Sequence, residues 1–176
     1  MRVFYAVNID DRAKALIKKT ASRLNGYLLA GRAIDLYNYH ITIQYIGETS
    51  NDRLAYYTSV LDKAAAGMKS SIVSFDKVSS FRRGKSHLIF LEGKYEPGLE
   101  SVRKNVIDEL GLEFRTFLPH ITLFRDAVPK TGYTMEKIAD ELKFGGLECP
   151  VENISLMESR TINGRLVYVA LYNIRM

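Results

Sequence analysis

Apolar and polar positions change period several times along this chain. Arg2–Ile9 is dense in aromatic and β-branched residues and predicts a buried strand. Asp10 or Asp11 can cap the helix that follows, with Ala13, Leu16, Ile17 and Leu24 on its apolar face until Gly26 and Gly31 break the pattern. Leu36–Ile46 predicts a second strand, closed by Gly47. Asn51 caps a second helix carrying Leu54, Tyr57, Leu61 and Ala65, which ends at Gly67. Ser71–Ser79 and His87–Leu91 predict strands joined by the basic turn Arg82-Arg83-Gly84-Lys85. Pro97 and Gly98 open a third helix (Leu99, Val102, Val106, Leu110), with Gly111 where a C-terminal glycine belongs. Phe117–Phe124 predicts a strand and Thr134–Leu142 a short helix. Val151–Glu158 and Leu166–Ile174 predict a closing hairpin around Asn163-Gly164.

The order is strand–helix–strand–helix–strand, and then the same again, which suggests a duplication within one domain, 1–176. The halves would run to about Phe81 and from about Ser86. The expected architecture is α+β, two antiparallel sheets with flanking helices facing each other across a groove. Short hairpins favour this over a parallel sheet. No Pro/Ser-rich linker or low-complexity tract marks a domain boundary.

Composition narrows the picture. An apolar fraction of 47% supplies a full core. Lys and Arg exceed Asp and Glu by 25 to 20, a net +5 that favours an anionic partner. A single cysteine, Cys149, allows neither an internal disulfide nor a zinc cluster, and points to the reducing cytoplasm. The N-terminal apolar run is too short for a signal sequence, and no stretch approaches a membrane span.

Two matching strands hold matching tetrapeptides, His40-Ile41-Thr42-Ile43 and His120-Ile121-Thr122-Leu123. Alternate residues of a strand share a face. His40 and Thr42 therefore project together, with Ile41, Ile43 and Tyr45 directed to the core, and His120 and Thr122 behave likewise. One His-x-Thr on a half-exposed strand means little. Two copies in phase, using two of only three histidines, are a poor coincidence. His87 has no such partner and reads as a core position. No third ligand is placed for a metal, and no nucleophile elbow is present. Two imidazoles about one centre suit paired acid–base catalysis near neutral pH, and two hydroxyls can donate to phosphate oxygens. A phosphodiester fits.

The doubled motif resembles the 2H phosphoesterase superfamily, in particular its RNA 2′,3′-cyclic phosphodiesterase (2′-5′ RNA ligase-like) branch. The resemblance rests on Val3-Phe4-Tyr5-Ala6-Val7, on Tyr39 through Glu48, on Phe117-Leu118-Pro119-His120-Ile121-Thr122-Leu123-Phe124-Arg125, and on the closing hairpin from Leu156 to Tyr168. It implies a bilobal fold and metal-free, cofactor-free hydrolysis of a ribose 2′,3′-cyclic phosphate to a 2′-phosphate. In that scheme His40 protonates the leaving 3′-oxygen, His120 activates water, and Thr42 and Thr122 hold phosphate oxygens. Arg125 matches a phosphate-binding arginine and Tyr5 a base-stacking aromatic. Arg125 has the strand parity of Ile121, so it reaches the groove only if the strand ends or bulges. The implied partner is an RNA or nucleotide with a cyclic-phosphate end, bound by a monomer. The alternatives are the same site acting on small cyclic nucleotides or 2′-5′ linkages, RNA ligation included, or a non-catalytic RNA-binding module using the basic turn and exposed tyrosines.

Overall fold

The computed structural model describes residues 1–176. Its elements are β1 (Arg2–Asn8), α1 (Asp11–Asn25), β2 (Leu28–Ala33), β3 (His40–Glu48), α2 (Leu54–Ala65), β4 (Ser71–Arg83), β5 (Ser86–Gly93), α3 (Pro97–Leu110), β6 (His120–Pro129), α4 (Met135–Leu142), β7 (Leu147–Val151), β8 (Asn153–Ile162) and β9 (Arg165–Arg175). The helix starts are built by side chains: Asp10, Glu96 and Thr134 each accept a backbone N–H in the first turn of α1, α3 and α4. Gly111 ends α3 in the left-handed conformation, φ 64°. No helix is long and apolar enough to cross a membrane.

The strands form two antiparallel sheets, ordered β3-β1-β8-β9 and β2-β6-β5-β4-β7. In the first half β1 pairs with β3, and in the second β5 pairs with β6. The third long strand of each half leaves its own sheet: β4 lies beside β5, and β8 lies beside β1. Each half thus completes the other's sheet. One large cluster of 36 buried hydrophobic residues, drawn from both sheets and all four helices, forms the core.

Several boundaries differ from the sequence reading. Leu36–Asn38 is a 3-10 turn capped by Asp35, so the second long strand begins at His40 and runs on through Gly47. Asn51 lies inside a short 3-10 turn that leads into α2. Strands β2 and β7 were not expected. Gly31, read as a breaker, is extended in β2 with φ 157°. Leu16 lies half-exposed on the rim of α1, not in the core.

Candidate active site

Both motif histidines stand at the first residue of their strands, where the chain enters the sheet from an irregular segment. Each ring turns its Nδ1 back on the carbonyl two residues earlier. His40 Nδ1 lies 2.7 Å from the Asn38 oxygen and His120 Nδ1 lies 2.8 Å from the Leu118 oxygen. A carbonyl only accepts, so Nδ1 carries the proton in both rings and Nε2 is the working nitrogen. The Thr42 hydroxyl lies 3.0 Å from His40 Nε2.

Each ring is also walled by a pair of aromatics. His40 meets Phe4 at 5.1 Å and Tyr168 at 4.9 Å between centroids; His120 meets Phe90 at 5.3 Å and Phe81 at 6.2 Å. Within each pair the aromatics pack on one another. Together with the carbonyl bond, these walls leave each imidazole little rotational freedom.

The two motif strands, one from each sheet, touch, and the Ile34 N–H donates to the Leu123 oxygen at 2.9 Å beside them. Burial pushes the His40 imidazole down to about 4. The Asn38 carbonyl opposes that shift, while positive charge on His120 and Arg125 adds to it. Unliganded, His40 is neutral at pH 7.

Arg125 reaches this site through a bulge. Phe90 faces Thr122 but Ile89 faces Phe124, so Leu123 is an extra residue in β6. Leu123 and Phe124 are consequently both buried, and Arg125 returns to the face of Thr122. Asp126 follows at φ 52°. The Arg125 Nε is buried and has no hydrogen-bond partner, an unfilled donor on the face that carries Thr122.

The mirror event occurs in β3. Tyr5 faces Gln44 but Ala6 faces Thr42, leaving Ile43 as the extra residue. Tyr45, expected in the core, therefore lies 54% exposed. Tyr5 is corrected as well: it is fully buried, and its hydroxyl donates to the Tyr57 carbonyl at 2.7 Å under α2. Its neighbour Phe4, on the opposite face of β1, is the aromatic that meets His40. His87 lies on the opposite face of its sheet from His120, with its Nδ1 3.1 Å from Ser80 Oγ.

Asn38 carried no recognised motif, yet it holds the first histidine twice over. Its carbonyl accepts a hydrogen bond from the His40 Nδ1–H. Its buried amide donates to the Leu166 carbonyl at 2.7 Å and accepts from the Tyr168 N–H at 3.1 Å. Arg103, on α3, links the two motifs. Its Nε donates to the carbonyl of the bulged Ile43 at 3.1 Å, and its Nη1 donates to the Arg115 carbonyl at 2.6 Å, in the segment that leads to His120. Phe114 and Phe117 cover the guanidinium at 5.6 and 5.3 Å. No carboxylate pairs with this buried cation. A residue whose contacts are all to backbone and ring faces leaves no local sequence signal.

The family model of the 2′-5′ RNA ligase superfamily matches residues 11–163. An RNA 2′,3′-cyclic phosphodiesterase of Archaeoglobus fulgidus is 28% identical over 84% of this chain and 86% of its own. One of Thermotoga maritima is 22% identical over 98% and 94%. Among solved structures, E. coli LigT complexed with 3′-AMP superposes with a TM-score of 0.77 at 19% identity, covering 99% of this chain and 97% of that one. With sequence and architecture in agreement over nearly its whole length, the chain belongs to the 2′-5′ RNA ligase superfamily of 2H phosphoesterases.

Proposed function

We propose that this protein hydrolyses the 2′,3′-cyclic phosphate end of RNA to a 2′-phosphate, with His40 and His120 as its acid–base pair. The observation that carries the reading is a pair of imidazoles of one tautomer, each presenting Nε2, at the starts of two strands that touch, with an unpartnered Arg125 Nε on the strand face of Thr122. The named activity of the two relatives points the same way.

In the proposed reaction a water oxygen attacks phosphorus and gives its proton to His120 Nε2. The bond from phosphorus to the 3′-oxygen breaks, and that oxygen takes a proton from His40 Nε2. The products are a 2′-phosphomonoester and a free 3′-hydroxyl. Thr42, Thr122 and Arg125 hold the non-bridging oxygens, where charge develops. His40 is neutral in the free protein chiefly because it is buried, so its role as acid rests on the substrate: an anionic phosphate beside the ring favours its protonated form.

The test is single-turnover hydrolysis of an oligonucleotide with a cyclic-phosphate end, the product position being read by phosphorus NMR. A 2′-phosphate formed at an unchanged rate in excess chelator is expected. A 3′-phosphate product, or a rate abolished by chelator and restored by a divalent metal, overturns the mechanism.

A further inference from the structure

The β4–β5 hairpin has a feature the cyclic-phosphate chemistry does not use. Phe81 walls His120 and is 45% exposed. Beyond it the strand runs Arg82-Arg83-Gly84-Lys85, all exposed, and Gly84 at φ 61° closes a tight turn between Arg83 and Ser86. No carboxylate lies within salt-bridge distance of these three cations.

Register assigns the faces. Pairing of β4 with β5 is unbroken from Phe81 opposite Leu88 to Arg83 opposite Ser86. Arg83 therefore shares the groove face with Phe81, about 7 Å further along the strand. Arg82 points the other way, opposite His87, with its Nε on the Gly84 carbonyl at 3.2 Å. The face thus presents, in order, a motif histidine, an exposed aromatic ring and an arginine without an acidic partner, and Lys85 follows in the exposed turn. An aromatic ring followed by free cations fits a single nucleic-acid strand, which offers a base to stack and phosphates at successive steps.

We propose that this hairpin, through Arg83 and Lys85, binds the phosphates of the nucleotides preceding the cyclic end, so that affinity and turnover rise with the length of strand that reaches it. This rests on the cyclic-phosphodiesterase reading, and the test separates the two.

Two measurements are made at 50 and 200 mM salt. One is the ratio of kcat/KM for a cyclic-phosphate-ended hexanucleotide to that for a 2′,3′-cyclic mononucleotide. The other is the Kd of a 2′-phosphate-ended hexanucleotide, which needs no turnover. Two single-strand phosphate contacts carry a salt slope of about 1.4, so hexamer affinity should weaken roughly 7-fold more over this range than the mononucleotide's. Replacing Arg83 and Lys85 together by Gln should lower the ratio and the hexamer affinity about tenfold and reduce the slope by about 1.4. Arg82→Gln should change either by less than twofold. A wild-type ratio near one, or a double variant that keeps the wild-type hexamer affinity and slope, overturns the track. An Arg82→Gln loss equal to that of the double variant overturns the face assignment on which it stands. Hexamer binding that follows the expected pattern without hydrolysis upholds the track and sinks the cyclic-phosphodiesterase reading.

Discussion

At the scale of single residues the two motifs were legible because side-chain alternation has period two, and His40, Thr42, His120 and Thr122 keep that period. Tyr45 was misplaced and Arg125 uncertain because a bulge inverts parity from the inserted residue onward, and Ile43 and Leu123 look like any other strand residue. The proton roles can be separated experimentally. His40→Ala and His120→Ala should each slow hydrolysis roughly 10²–10⁴-fold. A substrate with sulfur at the 3′ bridging position leaves as a thiolate, needs no acid, and should restore most of the His40→Ala rate but little of the His120→Ala rate. The opposite pattern would exchange the roles. Stability provides a second check. His40 in the folded chain lies at about 4, below about 6.5 for an unperturbed histidine. The unfolded chain therefore binds more protons between these values. Stability from this group is complete above pH 6.5 and is lost as pH falls towards 4. The wild-type protein should lose more stability than His40→Gln between pH 7 and 4 in denaturant titrations, and parallel curves would refute the burial of the ring. The comparison cancels carboxylates such as Glu48, Asp52, Glu92 and Glu136, which titrate in both proteins.

At the scale of elements, helices and long strands were readable from periodicity and caps, and Asp10, Gly111 and Asn163-Gly164 act as their residue types require. Strand β2 was missed because it is exposed at all but its first residue and has no alternation to read, and β7 because it is short and contains Pro150. Those strands owe their form to neighbours, not to local pattern. The bulges have a cost that another element meets. A bulged residue leaves the ladder, and the Ile43 carbonyl finds Arg103 of α3 instead. The same guanidinium fixes the irregular segment before His120, so α3 sets the separation of the two motifs. Arg103→Met keeps the apolar stem and removes both bonds. It should lower kcat about 10- to 100-fold with KM within threefold, since small misplacement of reacting groups is costly. Leaving the buried Ile43 carbonyl unpaired should also cost about 1–3 kcal/mol. Arg103→Lys, with one donor in place of a fork, should fall between. A Met variant that unfolds more easily yet turns over at the wild-type rate would reduce Arg103 to a purely structural role.

At the scale of the whole molecule the exchange of β4 and β8 decides how the site is held. A groove between two independent lobes would widen and close with every interlobe motion. Here each sheet contains strands from both halves of the chain, and one continuous core lies beneath both sheets. The swap also bears on folding. Residues up to Arg83 contain β4, whose partners β5 and β7 come later in the chain. Residues from Ser86 contain β8, which needs β1. Neither half can pair all its strands alone: β4 has no partner in the first, β7 has none in the second, and β8, paired there only with β9, exposes the edge that β1 covers. We therefore expect one cooperative unfolding transition, coincident by near-UV circular dichroism and by far-UV circular dichroism. Cutting the chain at Gly84, in an exposed turn, gives the sharper test. Each fragment alone should lack native side-chain dispersion in NMR spectra. The two co-expressed should recover it together with hydrolytic activity, because His40 and His120 come from different fragments. A fragment that folds by itself, or two separate unfolding transitions in the intact chain, would mean that the lobes are independent and that the groove is held by contact alone.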